Sequence, residues 1–589
     1  MRALILSLIL WAAPLAAQQA ADAVAPEAAG AGAGQVPPEL RAAAEAKAAG
    51  RPVEADRWMI AAANPLAVAA GARVLGAGGT AADAVVAVQA VLGLVEPQSS
   101  GLGGGGFLVW HDGATGEMTT LDGRETAPLA ATPTLFQDAD GAPLAFFEAV
   151  VGGRSVGVPG TPALLAEAHR RWGRSDWAGL FSDAIRLAEE GFIVSPRLAG
   201  LVAGDAERLA RYAETRAYFL PGGTPLQAGE TLRNPDYADT LRRLAAEGVQ
   251  PFYQGDIAAD IVARVQQAEG NPGLLSATDL AIYQVRARPP VCAPYRGHEV
   301  CGMGPPSSGG VAVAQILGLL APYDLAALGP DSAEAWRLIG DATRLAFADR
   351  GRYLADSDFV PVPVKGLLAP GYLAARAALL RGDDALPEVA PGTPEFDHAR
   401  DWGTGQDLTQ PSTSHVSIVD AYGNALSMTA SIENAFGARL MVRGFLLNNQ
   451  LTDFSFASHE DGRPVANAVA PGKRPRSSMA PTILRRDGQP VIVLGSPGGS
   501  RIIPYVAQTI IALLDWGLDP QAAVARPHLV NRFGPFDLEP EAAALAPALR
   551  GLGYEVEMRA LTSGLHVIAR GGRLRGGADP RREGLAYGR

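Results

Sequence analysis

Three consecutive hydroxyl residues, Ser412, Thr413 and Ser414, stand just before an alternating segment in which Val416 and Ile418 are set against Ser417 and Val419. A turn at Tyr422-Gly423-Asn424 and a second such segment over 425–432 follow, so the stretch reads as a β-hairpin with the hydroxyls at its entry. Such hydroxyls are either a plain Ser/Thr-rich approach to a hairpin or a self-cleavage site. In the second case one hydroxyl attacks its preceding peptide bond, leaving a chain start whose side chain is the nucleophile and whose α-amine is the base. Local chemistry neither decides between these nor ranks the three hydroxyls.

A second chemical motif is Leu494-Gly-Ser-Pro-Gly-Gly-Ser500-Arg-Ile-Ile, which ends a strand, crosses glycines and enters a helix. The amides of Gly498 and Gly499 would lie at a helix N-terminus, where free N–H groups and the helix dipole favour negative charge. That suits an oxyanion hole, although a plain strand-to-helix connection reads the same way. Two other patterns fail on context. Gly101-Leu-Gly-Gly-Gly-Gly106 spells a dinucleotide fingerprint, but a helix precedes it and a strand follows, the reverse of what a pyrophosphate site needs. Gly153-Arg-Ser155-Val-Gly157 spells a hydrolase elbow, yet Pro159-Gly160 denies Ser155 the helix that must follow.

The eight histidines are scattered without metal spacing, and no metal or cofactor is expected. Cys292 and Cys301 flank two short strand-like segments about Tyr295-Arg296-Gly297, which would set them across a hairpin. Export would permit a disulfide there; two unpaired buried thiols are the alternative.

The elements that must position these residues are mostly legible. Asn64-Pro65 opens an apolar helix to Leu75, and Thr80 is a cap candidate for a second over 81–95. Strands are expected at 107–110 and 118–122, then a mainly helical stretch over 160–285 with helices at 176–190, 196–212, 235–247 and 256–268. Helices at 311–320 and 333–354 lead through a polar loop, 380–412, to the hydroxyl cluster. Short strands at 415–420, 425–432, 445–447, 479–484 and 490–494 follow, then a helix over 502–514 and a strand at 565–569. Helical layers flanking a strand-rich centre imply a layered α+β architecture.

Bulk properties narrow the classes. With 589 residues, 48% of them hydrophobic, the chain can bury a large core, and its 69 Gly and 45 Pro punctuate periodic segments. A net charge of −11 without a dense Lys/Arg stripe argues against a nucleic-acid partner. Met1-Arg2, the apolar run 3–11 and the small-residue stretch 12–21 have the layout of a secretory leader, expected over 1–20. A flexible exported segment is expected over 21–54, and no later stretch is long and apolar enough for a stable membrane span. The expected location is periplasmic or secreted.

Together these motifs resemble the γ-glutamyltranspeptidase family of N-terminal nucleophile hydrolases. The resemblance rests on Glu96-Pro-Gln-Ser-Ser-Gly-Leu-Gly-Gly-Gly, Asp122-Gly-Arg-Glu-Thr-Ala-Pro128, Met303-Gly-Pro-Pro-Ser-Ser-Gly-Gly310 and Thr413-Ser-His415. It continues through Leu447-Asn-Asn-Gln450 with Asp453-Phe454, Lys473-Arg-Pro-Arg-Ser-Ser-Met479 and Pro497-Gly-Gly-Ser-Arg-Ile502. It implies a four-layer αββα sandwich and cleavage between Ser412 and Thr413, giving a large subunit, 55–412, and a small catalytic one, 413–589.

It further implies that Thr413 attacks the γ-glutamyl amide of a glutathione-like substrate, with Ser431 supporting it and Gly498 and Gly499 stabilising the oxyanion. The acyl group then passes to water or to an amino acid or peptide. The resemblance assigns the substrate's α-carboxylate to Arg124, Ser477 and Ser478, and its ammonium to Gln450 and Asp453. This chain departs from the family at Ser431, where a threonine is common, and at Glu433, where an asparagine is usual. Glu433 adds a charge that could strengthen ammonium binding or shift acyl preference. The stretch between Asp453 and Lys473 is also shorter than in members with a loop over the site. A glutaryl or cephalosporin acylase on the same scaffold, and an inactive γ-glutamyl-binding relative, are the alternatives.

Overall fold

The computed structural model describes residues 35–397, 401–405 and 412–589. Two seven-stranded sheets form its centre. One orders its strands Leu585–Gly588, Met59–Ala62, Ser414–Val419, Ala425–Ser431, Gly105–His111, Met118–Gly123 and Arg286–Arg288. The other runs Val53–Ala55, Leu574–Ala578, His566–Arg570, Gln489–Gly495, Thr482–Arg486, His298–Gly302 and Val291–Tyr295. The paired strands within these two sheets are antiparallel.

Alternation along the strands builds the layers. On Ser414–Val419, Val416 and Ile418 join a core formed with helices Pro65–Gly76 and Ala81–Val95. Val419 on the opposite face joins Met59, Ala61, Val109, Ile483, Val493 and Ile568 between the sheets. Helices Gly309–Leu320, Ala333–Tyr353 and Ile502–Leu514 cover the outer face of the second sheet with Leu484, Leu494 and Val567. The result is the expected αββα sandwich.

Local signals explain the helix starts near the site. Asn64 caps the first helix by accepting from Leu66 N at 2.9 Å, with Pro65 at its first position. Thr80 and Asp83 form a capping box on the second, whose fifteen residues are all buried. The run Gly101–Gly106 exists for packing: a Cβ on Gly103 or Gly104 would collide with the backbone of Leu446 or Ser431.

Several expectations change. The helix read over 196–212 breaks into Pro196–Gly204 and Ala206–Leu209, because Asp205 leaves helical geometry (φ −114°, ψ 13°) and accepts from the buried Arg439 at 2.8 Å. The strand read over 479–484 starts three residues later, as Thr482–Arg486. Of the segment expected to be flexible over 21–54, the described part is folded: Arg41–Ala48 is helix and Val53–Ala55 pairs with Leu574–Ala578. The leader expected over 1–20 lies outside the described residues. Among those described, no helix is long and apolar enough to cross a membrane. Cys292 and Cys301 face each other across the hairpin Val291–Tyr295/His298–Gly302 and are joined by a disulfide, with Cα atoms 4.1 Å apart.

Candidate active site

Ser412 and Thr413 lie at the mouth of the Ser414–Val419 strand, which is held between Met59–Ala62 and Ala425–Ser431. The register pairs Ser414 with Ala430, which sets Ser431, the next residue, beside Thr413. Thr413 Oγ1 lies 2.5 Å from the Ser412 carbonyl oxygen and 3.3 Å from Ser431 Oγ. Ser431 Oγ donates to that same carbonyl at 2.7 Å and accepts from Glu433 N at 2.8 Å. Ser412 Oγ donates to Gln98 O at 2.5 Å, and Arg582 donates to Thr413 O at 3.1 Å. A hydroxyl thus sits against the bond it would attack, and a second hydroxyl points at the oxygen where charge would develop.

One small cavity collects nearly all the residues singled out from the sequence: Arg124, Thr413, Ser431, Glu433, Gln450, Asp453, Ser477, Ser478 and Gly499, with Met479 and Ile502. Gly498 precedes Gly499 in the chain and is not among these residues. Its φ of 139° lies in the region open to glycine, and a Cβ there would stand 2.7 Å from the Tyr505 ring. Gly499, at φ 57°, starts the single turn that runs into helix Ile502–Leu514, so the cavity wall there is a helix N-terminus. A larger groove among Pro37, Trp58, Arg73 and Tyr587 contains none of these residues.

The cavity's polar groups are half satisfied in a telling way. Arg124 is fully buried; its Nη2 donates to Asp453 and to Arg476 O (3.0 Å), and its Nε to Pro475 O (3.2 Å). Its Nη1 has no hydrogen-bond partner among the described residues and lies 3.8 Å from Glu125 Oε2, an ion-pair contact. Gln450 Nε2 donates to Asp453 Oδ2 at 2.9 Å, yet Gln450 Oε1 and Asp453 Oδ1 accept from nothing described. Glu433 accepts from Asn449 Nδ2 and adopts φ 77°, which a long side chain adopts at a cost. One buried donor of a cation and two buried acceptors beside a carboxylate are complementary to a ligand bearing a carboxylate and an ammonium.

Titration follows burial. Glu125, next to Arg124, is pushed up to about 8, chiefly by burial and against the pull of Arg124. His415 is held well below its ordinary value, first by burial and then by His566. Both its ring nitrogens are engaged, with Thr429 at 2.8 Å and Ser417 at 3.0 Å, and among the described residues no histidine lines the cavity. Sequence reasoning missed Glu125, Arg350 and Arg582. Arg350 donates to Ser478 Oγ at 2.7 Å from a helix whose periodicity marks only a packed face. Arg582 comes from the far C-terminus, where nothing local marks it. Ser155 of the elbow pattern donates to Val150 O at 2.7 Å and is structural.

Comparison with known proteins agrees with this geometry. The family described as gamma-glutamyltranspeptidase matches residues 67–588. The chain is 37% identical over 545 residues to a glutathione hydrolase proenzyme of Bacillus subtilis (strain 168), covering 90% of this chain and 91% of that protein. It is 36% identical over 540 residues to an acylase ACY 1 proenzyme of Pseudomonas sp. (strain SE83), covering 90% of each. The fold superposes on the crystal structure of a cephalosporin acylase from Bacillus halodurans with a TM-score of 0.81, at 28% identity over 92% of this chain and 97% of that one.

Proposed function

The chain belongs to the gamma-glutamyltranspeptidase family, and from that premise we propose that it cleaves the γ-glutamyl amide of glutathione-like compounds through an ester on Thr413. The observation that carries the substrate assignment is the set of groups with no hydrogen-bond partner among the described residues: Arg124 Nη1, which makes a 3.8 Å ion-pair contact with Glu125, for an α-carboxylate, and Gln450 Oε1 and Asp453 Oδ1 for an α-ammonium. Ser477 and Ser478 add hydroxyls on the carboxylate side, and Glu433 adds negative charge to the same cavity.

Maturation comes first. Thr413 Oγ1 adds to the carbonyl carbon of Ser412, the C–N bond breaks, and the acyl group moves to oxygen. Water then hydrolyses that ester, leaving a Ser412 carboxylate and a free Thr413 amine. Ser431 hydrogen-bonds the carbonyl oxygen throughout, a role supported by its 2.7 Å contact.

In turnover the new amine, whose ordinary pKa is about 7.7–8.0, accepts the Thr413 hydroxyl proton as Oγ1 attacks the γ-carbonyl. Amides at Gly498 and Gly499 receive the oxyanion. The amine returns its proton to the leaving group, and water or an acceptor amine resolves the ester. No histidine is among the described residues of the cavity, and the amine on the same residue as the nucleophile supplies the base. The substrate pairs with two subunits of one precursor. Export is supported by the leader pattern and by the Cys292–Cys301 disulfide.

Against the alternative of a glutaryl acylase on the same scaffold, a glutaryl donor is the informative competitor, since a glutaryl group keeps the carboxylate and lacks the ammonium. Hydrolysis of γ-glutamyl and glutaryl p-nitroanilides should differ by at least about tenfold in kcat/KM in favour of γ-glutamyl, the worth of one charged hydrogen bond. Equal rates, or a glutaryl preference, would overturn the ammonium assignment.

A further inference from the structure

Arg350 lies on helix Ala333–Tyr353, 1% exposed, and its guanidinium ties three segments together. Nε donates to Ser308 Oγ and Nη2 to Ser478 Oγ, each at 2.7 Å. Ser308 belongs to the Met303–Gly310 motif, to which the reaction above gives no part. Its Oγ donates onward to Ser477 O at 2.6 Å, and its amide reaches the same oxygen at 2.8 Å. Ser477 N donates back to Pro306 O at 3.1 Å. The Arg350 carbonyl in turn accepts from Arg476 Nη1 at 2.9 Å.

At Ser308 this relay is complete: cation to hydroxyl to carbonyl. At Ser478 only its first half is filled. That hydroxyl accepts from Arg350, lines the cavity, and donates to no acceptor among the described residues. We propose that Arg350 is a positioning residue of the donor site, holding the Ser478 hydroxyl so that its proton points at the carboxylate of the incoming acyl group. The inference rests on the reading above that Arg124, Ser477 and Ser478 receive that carboxylate.

Three physical points support it. A hydroxyl that accepts from a cation donates a stronger hydrogen bond, so Arg350 delivers part of its charge to the carboxylate without touching it. Burial and then Arg476 depress the Arg350 guanidinium well below its ordinary value, a strain that an anion at Ser478 relieves. The planar fork of an arginine reaches two hydroxyls at fixed angles, whereas a lysine offers one point charge on a flexible stem and cannot hold both.

The test uses the processed enzyme and two donors, γ-glutamyl p-nitroanilide and 4-aminobutyryl p-nitroanilide, which keeps the amine and lacks the α-carboxylate. In Arg350→Lys the preference for the carboxylate-bearing donor should fall about tenfold, mainly through KM, as expected for a weakened charge-assisted bond. In a Ser478→Ala background the same substitution should change the preference by less than about twofold, because the pair acts as a unit. Arg350→Met should give a larger fall than Arg350→Lys; if it does not mature, Arg350→Lys carries the test alone. An unchanged preference, equal losses on both donors, or the same loss with and without the Ser478 hydroxyl would overturn the role. A wild-type enzyme with no preference between the donors would instead overturn the carboxylate-site reading itself, whatever the variants do.

Discussion

At Thr413 the proposed reaction takes its base from the residue's own backbone, and the neighbouring His415 spends both ring nitrogens on Thr429 and Ser417. In this reading maturation and catalysis depend on one side chain. Thr413→Ala should stay a single chain on denaturing electrophoresis, whereas the wild type should give two fragments, the smaller one reading Thr413-Ser-His on N-terminal sequencing; an intact wild-type chain would refute self-cleavage. Glu125 supports a different prediction. Its carboxyl is raised to about 8 from an ordinary 4.5, so the folded protein retains a proton that the unfolded chain gives up. Its contribution to stability is complete below about pH 4.5 and is lost as the pH climbs through about 8. Glu125→Gln cannot ionise, so its melting temperature should gain on the wild type's between about pH 5 and about pH 9. A constant difference across that range would mean that Glu125 is charged in the fold.

Among the elements, those with their own start and stop signals were legible and those defined by a distant partner were not. Helices Pro235–Glu247 and Ile502–Leu514 run where periodicity placed them, and Asn234 caps the first by accepting from Tyr237 N at 3.0 Å. Strands Met59–Ala62 and Leu585–Gly588 are short and apolar, and pair with each other only after the whole chain has folded, so no local pattern marks them. The strand-to-helix junction at Gly498 is the element whose backbone the proposed reaction uses. Gly498→Ala forces a φ of 139° on a residue with a Cβ and drives that Cβ against Tyr505. Steady-state kinetics should show kcat falling about 10²–10³-fold, the range for loss of one oxyanion donor, with KM shifting much less. A change confined to KM would remove Gly498 from the oxyanion role.

For the whole molecule, cleavage at Ser412–Thr413 would cut the chain without opening the sheet. The Ser414–Val419 strand stays paired with Met59–Ala62, and Ala425–Ser431 with Gly105–His111, so each subunit completes the other's core. The two fragments should co-elute as one species on size exclusion under native conditions and separate only in denaturant, and residues 413–589 expressed alone should not give a soluble fold. Recovery of either fragment as a separate folded species would contradict this. The sequence by itself determined the layers, the helix caps, the hydroxyl cluster and, through its ordered motifs, the family, because periodicity, capping and glycine placement are local properties. Tertiary structure alone decided which buried groups face one another. It set Ser431 on the Ser412 carbonyl, left Arg124 Nη1, Gln450 Oε1 and Asp453 Oδ1 without hydrogen-bond partners among the described residues, and brought Arg350 and Arg582 to the site from remote segments. Those relations depend on desolvation and on strand register, and both exist only once residues hundreds of positions apart have packed together.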